Sequence, residues 1–221
     1  MASEKLLTVL IPTRNNPAVG YVIDDIKRQP IPCDIVVVGH NTPPTTIKVI
    51  RDKGANVWIE PQRGKATAIK YAIQKINTPY FVILDADRTY SAWSIPDMVA
   101  NLKLYDVVIG IRNPVNIDAM SKIHRLGNFG LSVTASLLYR HWVNDVCSGM
   151  WAFRTNVAKT FTLDNGGFTL ETDFYVNTIR SGYKLGQIPI TYSPRMFGKG
   201  RVNIITGLGI GWFLVRKRFK R

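Results

Sequence analysis

Short apolar runs alternate with stretches of helical spacing through the first half of the chain. The apolar runs cover residues 6–11, 34–38, 56–59, 80–84 and 106–109, and the helical stretches cover residues 18–28, 45–53, 65–76 and 95–104. Strands that alternate with helices of about ten residues predict βαβ units around a mostly parallel sheet. Runs such as VVV and FVIL are apolar on both faces, which is typical of strands covered by helices on both sides.

The second half of the chain predicts fewer and longer elements. Residues 120–139 form a long amphipathic stretch, CSGMWAF and GQIPITY predict strands, and residues 171–180 predict a helix. A basic loop, SPRMFGKGRVN, precedes a tail at residues 204–221 that has helical spacing. No repeat or linker interrupts the pattern. We therefore expect one domain over residues 1–203, in two functional halves (1–112 and 113–203), followed by a basic tail.

Charge adds a first functional constraint. The chain has 29 Lys and Arg against 15 Asp and Glu, a formal net charge of +14. Such a surface suits nucleic acid, anionic lipid or phosphorylated small molecules. The excess is concentrated near the C-terminal end, where no acidic residue occurs after residue 194. The basic residues there are Arg195, Lys199, Arg201, Arg216, Lys217, Arg218, Lys220 and Arg221.

Targeting and redox signals point to the cytoplasm. The apolar run near the first residue is too short for the core of a signal peptide. No stretch reaches the roughly 20 apolar residues of a spanning helix. Cys33 and Cys147 have no metal-ligand spacing, so we expect two free thiols and no zinc site.

Two aspartates follow the apolar run FVIL. Residues i and i+2 of an extended turn point to the same side, so Asp85 and Asp87 in LDADRT can share one hard cation. Mg²⁺ or Mn²⁺ takes one or two carboxylates together with phosphate oxygens and water. The structural alternative is that these aspartates cap a turn or the next helix.

Polar segments also follow other predicted strands. PTRNN follows the first, GHNT the second and DADRT the fourth. Ligands of open α/β sheets bind beyond the carboxyl ends of the strands, so these segments are expected to converge. Lys65 in RGKATAIKYAI stands near a helix start, where a phosphate contact is favoured.

Eight segments, in order along nearly the whole chain, resemble family 2 glycosyltransferases. They are TVLIPTRNN, GKATAIKYAI, YFVILDADRTYSAWSIPDMV, DVVIGIR, RLGNFGLSVTASLLY, NDVCSGMWAFR, GFTLETDFYVNTIRSGYKLGQIPITYSPR and GKGRVN. The pattern is most similar to that of dolichyl-phosphate mannose or glucose synthases and their bacterial polyprenyl-phosphate relatives. The resemblance implies an α/β fold of the GT-A type, with a nucleotide-sugar half and an acceptor half.

The resemblance also implies roles for individual residues. Those matching the nucleotide-sugar site are Pro12, Thr13, Arg14, Asn15, Lys65, Asp85, Ala86 and Asp87. Those matching the acceptor-phosphate site are Arg112, Arg125, Arg195, Lys199 and Arg201. The implied catalytic residues are Asp87, Asp145, Asp173 and Arg112, and the implied metal ligands are Asp85 and Asp87, with Mg²⁺ or Mn²⁺ as cofactor. Glu171 pairs with Asp173 in the family's acidic motif.

The sequence departs from the family pattern in three places. Gly39 and His40 stand where the family has acidic residues after its second strand. Arg14 and Asn16 replace an aromatic residue and an acid in the first loop, which leaves the donor nucleotide open between GDP and UDP. Arg88 stands where the family often has a small or uncharged residue.

The implied reaction is an inverting transfer of a hexose from a nucleotide diphosphate sugar to a polyprenyl or dolichyl phosphate. A phosphate acceptor is already ionised, so it needs cations to position it and no general base. The alternative is transfer to a glycan hydroxyl, with Asp173 or Asp145 as the base. A nucleic-acid-binding role is disfavoured because the aromatic residues are not interleaved with the basic ones.

The tail at residues 204–221 predicts where in the cell the protein works. Its apolar residues Ile204, Leu208, Trp212, Val215 and Phe219 recur every three or four positions, and RKRFKR follows. This pattern favours an interfacial helix on anionic lipid, with a helix packed on the domain as the alternative. We expect a peripheral protein on the cytoplasmic face of a membrane. Many relatives carry transmembrane helices after the catalytic domain, so a small membrane-anchoring protein is a candidate partner here.

Overall fold

A single seven-stranded sheet runs through the molecule. The computed structural model describes residues 5–13, 15–164, 168–198 and 204–220. Its strands are β1 (Leu7–Thr13), β2 (Cys33–Gly39), β3 (Asn56–Ile59), β4 (Tyr80–Ile83), β5 (Val107–Pro114), β6 (Trp151–Arg154) and β7 (Leu185–Tyr192). The order across the sheet is β3-β2-β1-β4-β6-β5-β7. β6 pairs antiparallel with both β4 and β5, whereas the other pairs are parallel.

Helices cover both faces of this sheet. They are α1 (Val19–Lys27), α2 (Pro44–Asp52), α3 (Lys65–Lys75), α4 (Ile95–Asn101), α5 (Lys122–Tyr139), α6 (Thr155–Ala158), α7 (Leu170–Arg180) and α8 (Ile204–Phe219). A 3₁₀ turn, Ala92–Ser94, precedes α4. The mixed α/β fold expected from the alternating pattern is thus confirmed. The strand predicted in CSGMWAF is β6, but its antiparallel direction had no signal in the sequence, because strand direction depends on pairing across the sheet. The short α6 was not predicted.

The core lies in two layers. On one face, aromatic side chains of β6 pack against α7, with Phe153 and Phe174 ring centroids 4.9 Å apart and Trp151 stacked on Phe153. On the other face, Ile23 of α1 and Met98 of α4 are fully buried against the sheet. The sheet is therefore apolar on both sides, as the unbroken apolar runs predicted.

Parallel pairing brings the ends of the first strands together. Thr13 of β1 is in register with Gly39 of β2, and Leu10 of β1 with Ile83 of β4. A side chain at Gly39 would approach the carbonyl oxygen of Thr13 to 2.7 Å, so only glycine fits this close approach. The polar segments after β1, β2 and β4 therefore meet at one edge, as predicted.

The C-terminal helix α8 packs against α5 and α7. Ile210, Phe213 and Leu214 are buried on its inner face, while Leu208 and Trp212 point outward. The apolar stripe predicted from the sequence thus lies mainly on the outer face, and a second stripe packs on the domain. No described helix is both long and apolar enough to cross a membrane.

An ion-pair cluster fixes the end of α8. Lys217 Nζ lies 3.0 Å from Asp173 Oδ1 and 3.1 Å from Asp164 Oδ1. The side chain of Lys217 is 11% exposed and that of Asp173 only 1%. Because both charged groups are largely removed from water, each needs the opposite charge of the other to offset the free-energy cost of its burial.

Replacing Lys217 tests this anchor. We expect Lys217→Met to lower the free energy of unfolding by about 3 kcal/mol, because it leaves Asp173 buried without its cation. Guanidinium denaturation measures the change. Arg216→Met is the matched control, since that partly exposed pair is expected to contribute at most about 1 kcal/mol. Equal effects of the two substitutions would contradict the anchor role.

Candidate active site

Lys65 joins the two halves of the chain at the sheet edge. Its Nζ lies 2.7 Å from Asp85 Oδ1 and 2.8 Å from Glu171 Oε1. Gly64, with φ of 141°, turns the chain so that Lys65 begins α3. Burial alone would lower the pKa of Lys65, but the two carboxylates outweigh it and raise the pKa. The lysine therefore stays charged at the start of a helix, where an anionic ligand is favoured.

The two acidic residues of α7, Glu171 and Asp173, contact different parts of the structure. Side chains two positions apart on a helix do not face each other. Glu171 reaches Lys65, whereas Asp173 accepts hydrogen bonds from the backbone N–H of Asp164 and from Asn177 and pairs with Lys217. Burial raises the pKa of Asp173. The structure thus brings Glu171, and not the predicted Asp173, to the cluster of Asp85.

The two metal-motif aspartates pair with different cations. Asp85 meets Lys65, and Asp87 Oδ2 lies 2.9 Å from Arg195 Nη2. Asp87 Oδ1 also accepts from the backbone N–H of Thr89 at 3.1 Å and from its hydroxyl at 2.6 Å. Ala86, between the aspartates, is buried. Asp87 Oδ1 therefore caps a turn, as the structural alternative predicted, while Asp87 Oδ2 faces the cation of Arg195.

Arg195 belongs to a segment that runs beside the metal motif. The backbone N–H of Ser193 donates to the Thr89 carbonyl at 2.8 Å, and that of Met196 donates to the Asp87 carbonyl at 3.4 Å. The basic loop predicted to meet a phosphate therefore starts in contact with Asp87. Its other predicted members, Lys199 and Arg201, lie outside the described residues.

Arg112 and Asp145 form a bidentate ion pair. Arg112 Nε and Nη2 each donate to one oxygen of Asp145 at 2.7 Å, and the Arg112 backbone N–H donates at 3.0 Å. The side chains are 13% and 4% exposed. Burial alone would lower the pKa of Arg112, but Asp145 raises it well above its ordinary value. Asp145 thus orients an arginine, which lies 5.5 Å from the Tyr192 ring centroid.

Gly149 and Tyr90 shape the site, and the sequence prediction did not include them. A side chain at Gly149 would approach Asp85 Oδ2 to 2.6 Å, so the glycine makes room for the carboxylate. The backbone N–H of Gly149 donates to the hydroxyl of Tyr90 at 2.6 Å. The SG in the segment NDVCSGMWAFR was the available signal for Gly149 in the sequence.

Residues predicted for the nucleotide-sugar site lie at the end of β1. Pro12 and Thr13 end β1, and Asn15 follows in a left-handed conformation with φ of 60°. Asn15 Oδ1 accepts from the Thr46 hydroxyl at 2.8 Å. His40 Nδ1 lies 3.1 Å from the Glu60 carbonyl oxygen, which ties the end of β2 to the end of β3. Arg14 lies outside the described residues.

Arg125 and Arg88 lie apart from these pairs. Arg125 is exposed on the first turn of α5. Arg88 has φ of 62°, and its Nε and Nη2 reach the two oxygens of Asp25 on α1 at 2.7 Å and 3.2 Å. This ion pair explains the unusual arginine: it ties the segment after β4 to α1.

Asp85 and Asp87 fit a divalent cation whose remaining ligands are phosphate oxygens and water. Asp85 and Asp87 offer hard carboxylate oxygens at the end of β4. The described residues contain no group of three or more acidic, His or Cys side chains able to hold a metal. Mg²⁺ and Mn²⁺ commonly complete such a site with phosphate oxygens and water. The donor set therefore suits a metal that arrives with a diphosphate.

Comparison with known proteins identifies the family. The sequence model described as Glycosyl transferase family 2 matches residues 8–162. The chain belongs to glycosyl transferase family 2. That match runs from Thr8 of β1 through β6 and includes all of the residues from Lys65 to Asp145 discussed above.

Curated relatives of this family 2 glycosyltransferase include archaeal and mycobacterial proteins. Glycosyltransferase AglJ of Haloferax volcanii is 31% identical over 202 residues, which are 90% of this chain and 66% of that protein. The chain thus spans slightly less than two thirds of that relative. The dolichyl-phosphate hexose transferase of the same organism is 29% identical, covering 86% of this chain and 83% of that protein.

Solved structures share the fold at low sequence identity. Glucosyl-3-phosphoglycerate synthase of Mycobacterium tuberculosis in complex with UDP has a TM-score of 0.76 at 15% identity, covering 98% of this chain and 81% of that chain. Its complex with Mn²⁺, UDP and glucosyl-3-phosphoglycerate has a TM-score of 0.70 at 16% identity, covering 97% and 79%. These likenesses establish the GT-A fold of this chain.

Asp145→Asn tests the orienting role in this family 2 glycosyltransferase. We expect the free energy of unfolding to fall by about 3 kcal/mol, because Arg112 keeps its burial and loses its counter-charge. Urea denaturation measures the change. Asp52→Asn, in an exposed pair with Lys48, serves as the control and is expected to change stability by at most about 1 kcal/mol. If Asp145→Asn kept its stability but lost sugar-transfer activity, Asp145 would instead have a chemical role.

Proposed function

We propose that this glycosyltransferase moves a hexose from a nucleotide diphosphate sugar, of the UDP-glucose or GDP-mannose type, to a polyprenyl phosphate. The observation that carries the proposal is the contact between Arg195 and Asp87 at 2.9 Å. It joins the basic segment after β7 to the metal motif after β4. A phosphate held by that segment would therefore lie next to a diphosphate held at the motif.

The charges of the site favour a phosphate acceptor over a hydroxyl. Asp85, Asp87 and Asp145 each pair already with a cationic side chain. Accepting a proton from a hydroxyl would neutralise the carboxylate and remove the counter-charge of its cationic partner. A phosphate monoester needs no proton removed, and guanidinium groups match its geometry. The similarity to a dolichyl-phosphate hexose transferase supports the same acceptor class.

The predicted phosphate-binding arginines contribute differently. Arg195 is 35% exposed and forms one ion pair among the described residues, so its remaining N–H groups can hold an acceptor oxygen. Arg112 is nearly buried and its charge is offset by Asp145, so it offers directed hydrogen bonds more than net charge. Arg195 is therefore the main candidate for positioning the phosphate.

In the proposed reaction, a phosphate oxygen attacks the anomeric carbon in line with the departing diphosphate. The new C–O bond forms as the bond to the diphosphate oxygen breaks, and the electron pair of that bond leaves with the diphosphate, which inverts the configuration. Lys65, held charged by Asp85 and Glu171, is placed to stabilise the developing negative charge. A bound Mg²⁺ or Mn²⁺ would neutralise the diphosphate as a Lewis acid, and structural neighbours were solved with Mn²⁺.

A transfer assay tests this function. The protein is incubated with Mg²⁺ or Mn²⁺, UDP-glucose or GDP-mannose, and a polyprenyl phosphate, and lipid-linked hexose is detected by mass spectrometry. We expect product from the wild type and a loss of about 10²-fold or more in Asp87→Asn, since the site loses a charged group at the reacting centre. Arg195→Gln is expected to raise KM for the lipid more than KM for the donor.

Matched variants make the assay decisive. Asp52→Asn alters a surface carboxylate far from the motif in the fold and is expected to keep wild-type rates. Transfer to a glycan hydroxyl, with none to polyprenyl phosphate, would contradict the proposed acceptor. Full activity of Asp87→Asn would contradict the proposed metal site.

We further propose that the protein works at a membrane surface through α5 and α8. These helices pack together and share a set of large apolar side chains that are each more than half exposed: Ile123, Leu126, Phe129, Leu137, Leu208, Trp212 and Phe219. Arg218 and Lys220 follow at the end of α8. Apolar side chains with Trp beside basic residues suit the boundary of an anionic bilayer. The comparisons give no support for a separate anchoring protein.

Vesicle flotation tests the membrane proposal. We expect the wild type to float with vesicles containing phosphatidylglycerol, and less so at high salt, because basic residues contribute about 1 kcal/mol each near an anionic surface. The double variant Leu208→Ser and Trp212→Ser should lose binding. Leu104→Ser, equally exposed after α4, is the control. Equal flotation of both variants would contradict the proposal.

A further inference from the structure

A cavity of about 390 Å³ lies beside the segment that carries the metal motif. It is on the side of the sheet covered by α1, whereas Lys65 and Glu171 come from α3 and α7 on the other side. Its walls include Asp25, Arg88, Ser91, Trp93, Ser193 and Met196. The volume is within the range of roughly 300–1,000 Å³ that is usual for small-molecule sites.

The rim of this cavity offers an open aromatic face. Trp93 is 64% exposed, although it follows a buried segment and its backbone N–H is fixed by the hydroxyl of Ser91. The face of an indole ring carries partial negative charge. The C–H groups on one face of a pyranose ring carry partial positive charge and are apolar enough to stack there.

The floor of the cavity is an ion pair with spare hydrogen-bonding capacity. Arg88 gives Asp25 two hydrogen bonds, at 2.7 Å and 3.2 Å, out of its five N–H donors. The Arg88 side chain is 40% exposed and that of Asp25 is 20% exposed. The hydroxyls of Ser91, Thr191 and Ser193 add further donors and acceptors. The left-handed backbone of Arg88, with φ of 62°, directs this side chain at a cost in strain.

These features select the class of ligand. Arg88 and Asp25 are the charged residues of the described lining, and Asp25 also pairs with the exposed Arg28 outside it at 3.2 Å, so these charges are held in ion pairs rather than left open to a charged ligand. A wholly apolar ligand would bury the guanidinium, carboxylate and hydroxyl groups without partners. A neutral ring with one C–H face and several hydroxyls satisfies both the indole and the polar floor.

We propose that this cavity binds a neutral pyranose unit of a saccharide. The site is separate from the donor and phosphate positions and does not depend on the lipid acceptor proposed above. Pro194 and Met196 line it, and Arg195 between them reaches Asp87. A sugar in the cavity therefore contacts the same segment that holds the candidate phosphate-binding arginine.

Saturation-transfer NMR on the full chain tests the proposal. The probes are methyl α-D-glucopyranoside, methyl α-D-mannopyranoside and methyl β-D-galactopyranoside, without metal or nucleotide. We expect at least one probe to bind the wild type. Trp93→Ala is expected to weaken that binding by about tenfold, because it removes the stacking face. Arg88→Gly, which suits the positive φ, should also weaken it by removing the polar floor.

Matched variants separate this site from the others. Trp142→Ala removes another exposed indole, which follows α5 and lies outside the cavity lining, and should leave sugar binding unchanged. Thermal unfolding of each variant shows that the fold is retained. Absence of any saccharide signal in the wild type would overturn the proposal. So would a signal that persists in Trp93→Ala and disappears in Asp87→Asn, which would place the sugar at the metal motif. The lipid-transfer assay is scored separately, so either proposal can fail alone.

Discussion

Carboxylates buried at the carboxyl edge of the sheet need cations, and this requirement ties the molecule together. Removing an ionised carboxylate from water costs several kcal/mol unless a positive partner meets it. Asp85 is met by Lys65, Asp87 by Arg195 and Asp145 by Arg112. Each cation comes from a part of the chain distant from its partner. The folded edge is therefore a set of interlocked charges contributed by both predicted halves.

The same arrangement gives the site its chemical character. The carboxylate oxygens that pair with side chains are the ones a divalent cation would use, and the paired cations are the ones that phosphates would use. Lys65 and Arg195 lie on either side of the metal motif, each bound to one of its aspartates. In the proposed reaction a diphosphate and a phosphate would take these two positions, with the sugar passing between them. Because these charges are already held in place by ion pairs, substrate oxygens would exchange with side-chain partners at a preorganised site.

Local pattern was sufficient for most of the fold. The unbroken apolar runs predicted β1, β2 and β4 because parallel strands covered on both faces must be apolar throughout. The direction of β6 was not predictable, since it depends on partners that lie far away along the chain. The site shows the same limit. Asp85, Asp87 and Lys65 were predicted from spacing and resemblance, together with Asp173 of the acidic pair on α7. The structure places Glu171 of that pair, rather than Asp173, beside Lys65, because only the packing of α7 decides which of the two faces the sheet edge.

The sequence by itself determined the α/β class, the family and the positions of the chemistry-bearing segments, because hydrophobic period and motif order are local properties. The tertiary structure decided which charges meet. It turned Asp173 into an anchor for α8, closed Asp145 on Arg112, and gave Arg88 a partner in Asp25 on α1. It also made Gly149 necessary, since the space that Asp85 occupies exists only when β4 and β6 lie side by side. Such pairings join residues far apart in the chain, and only the packed sheet and helices bring them within hydrogen-bonding distance.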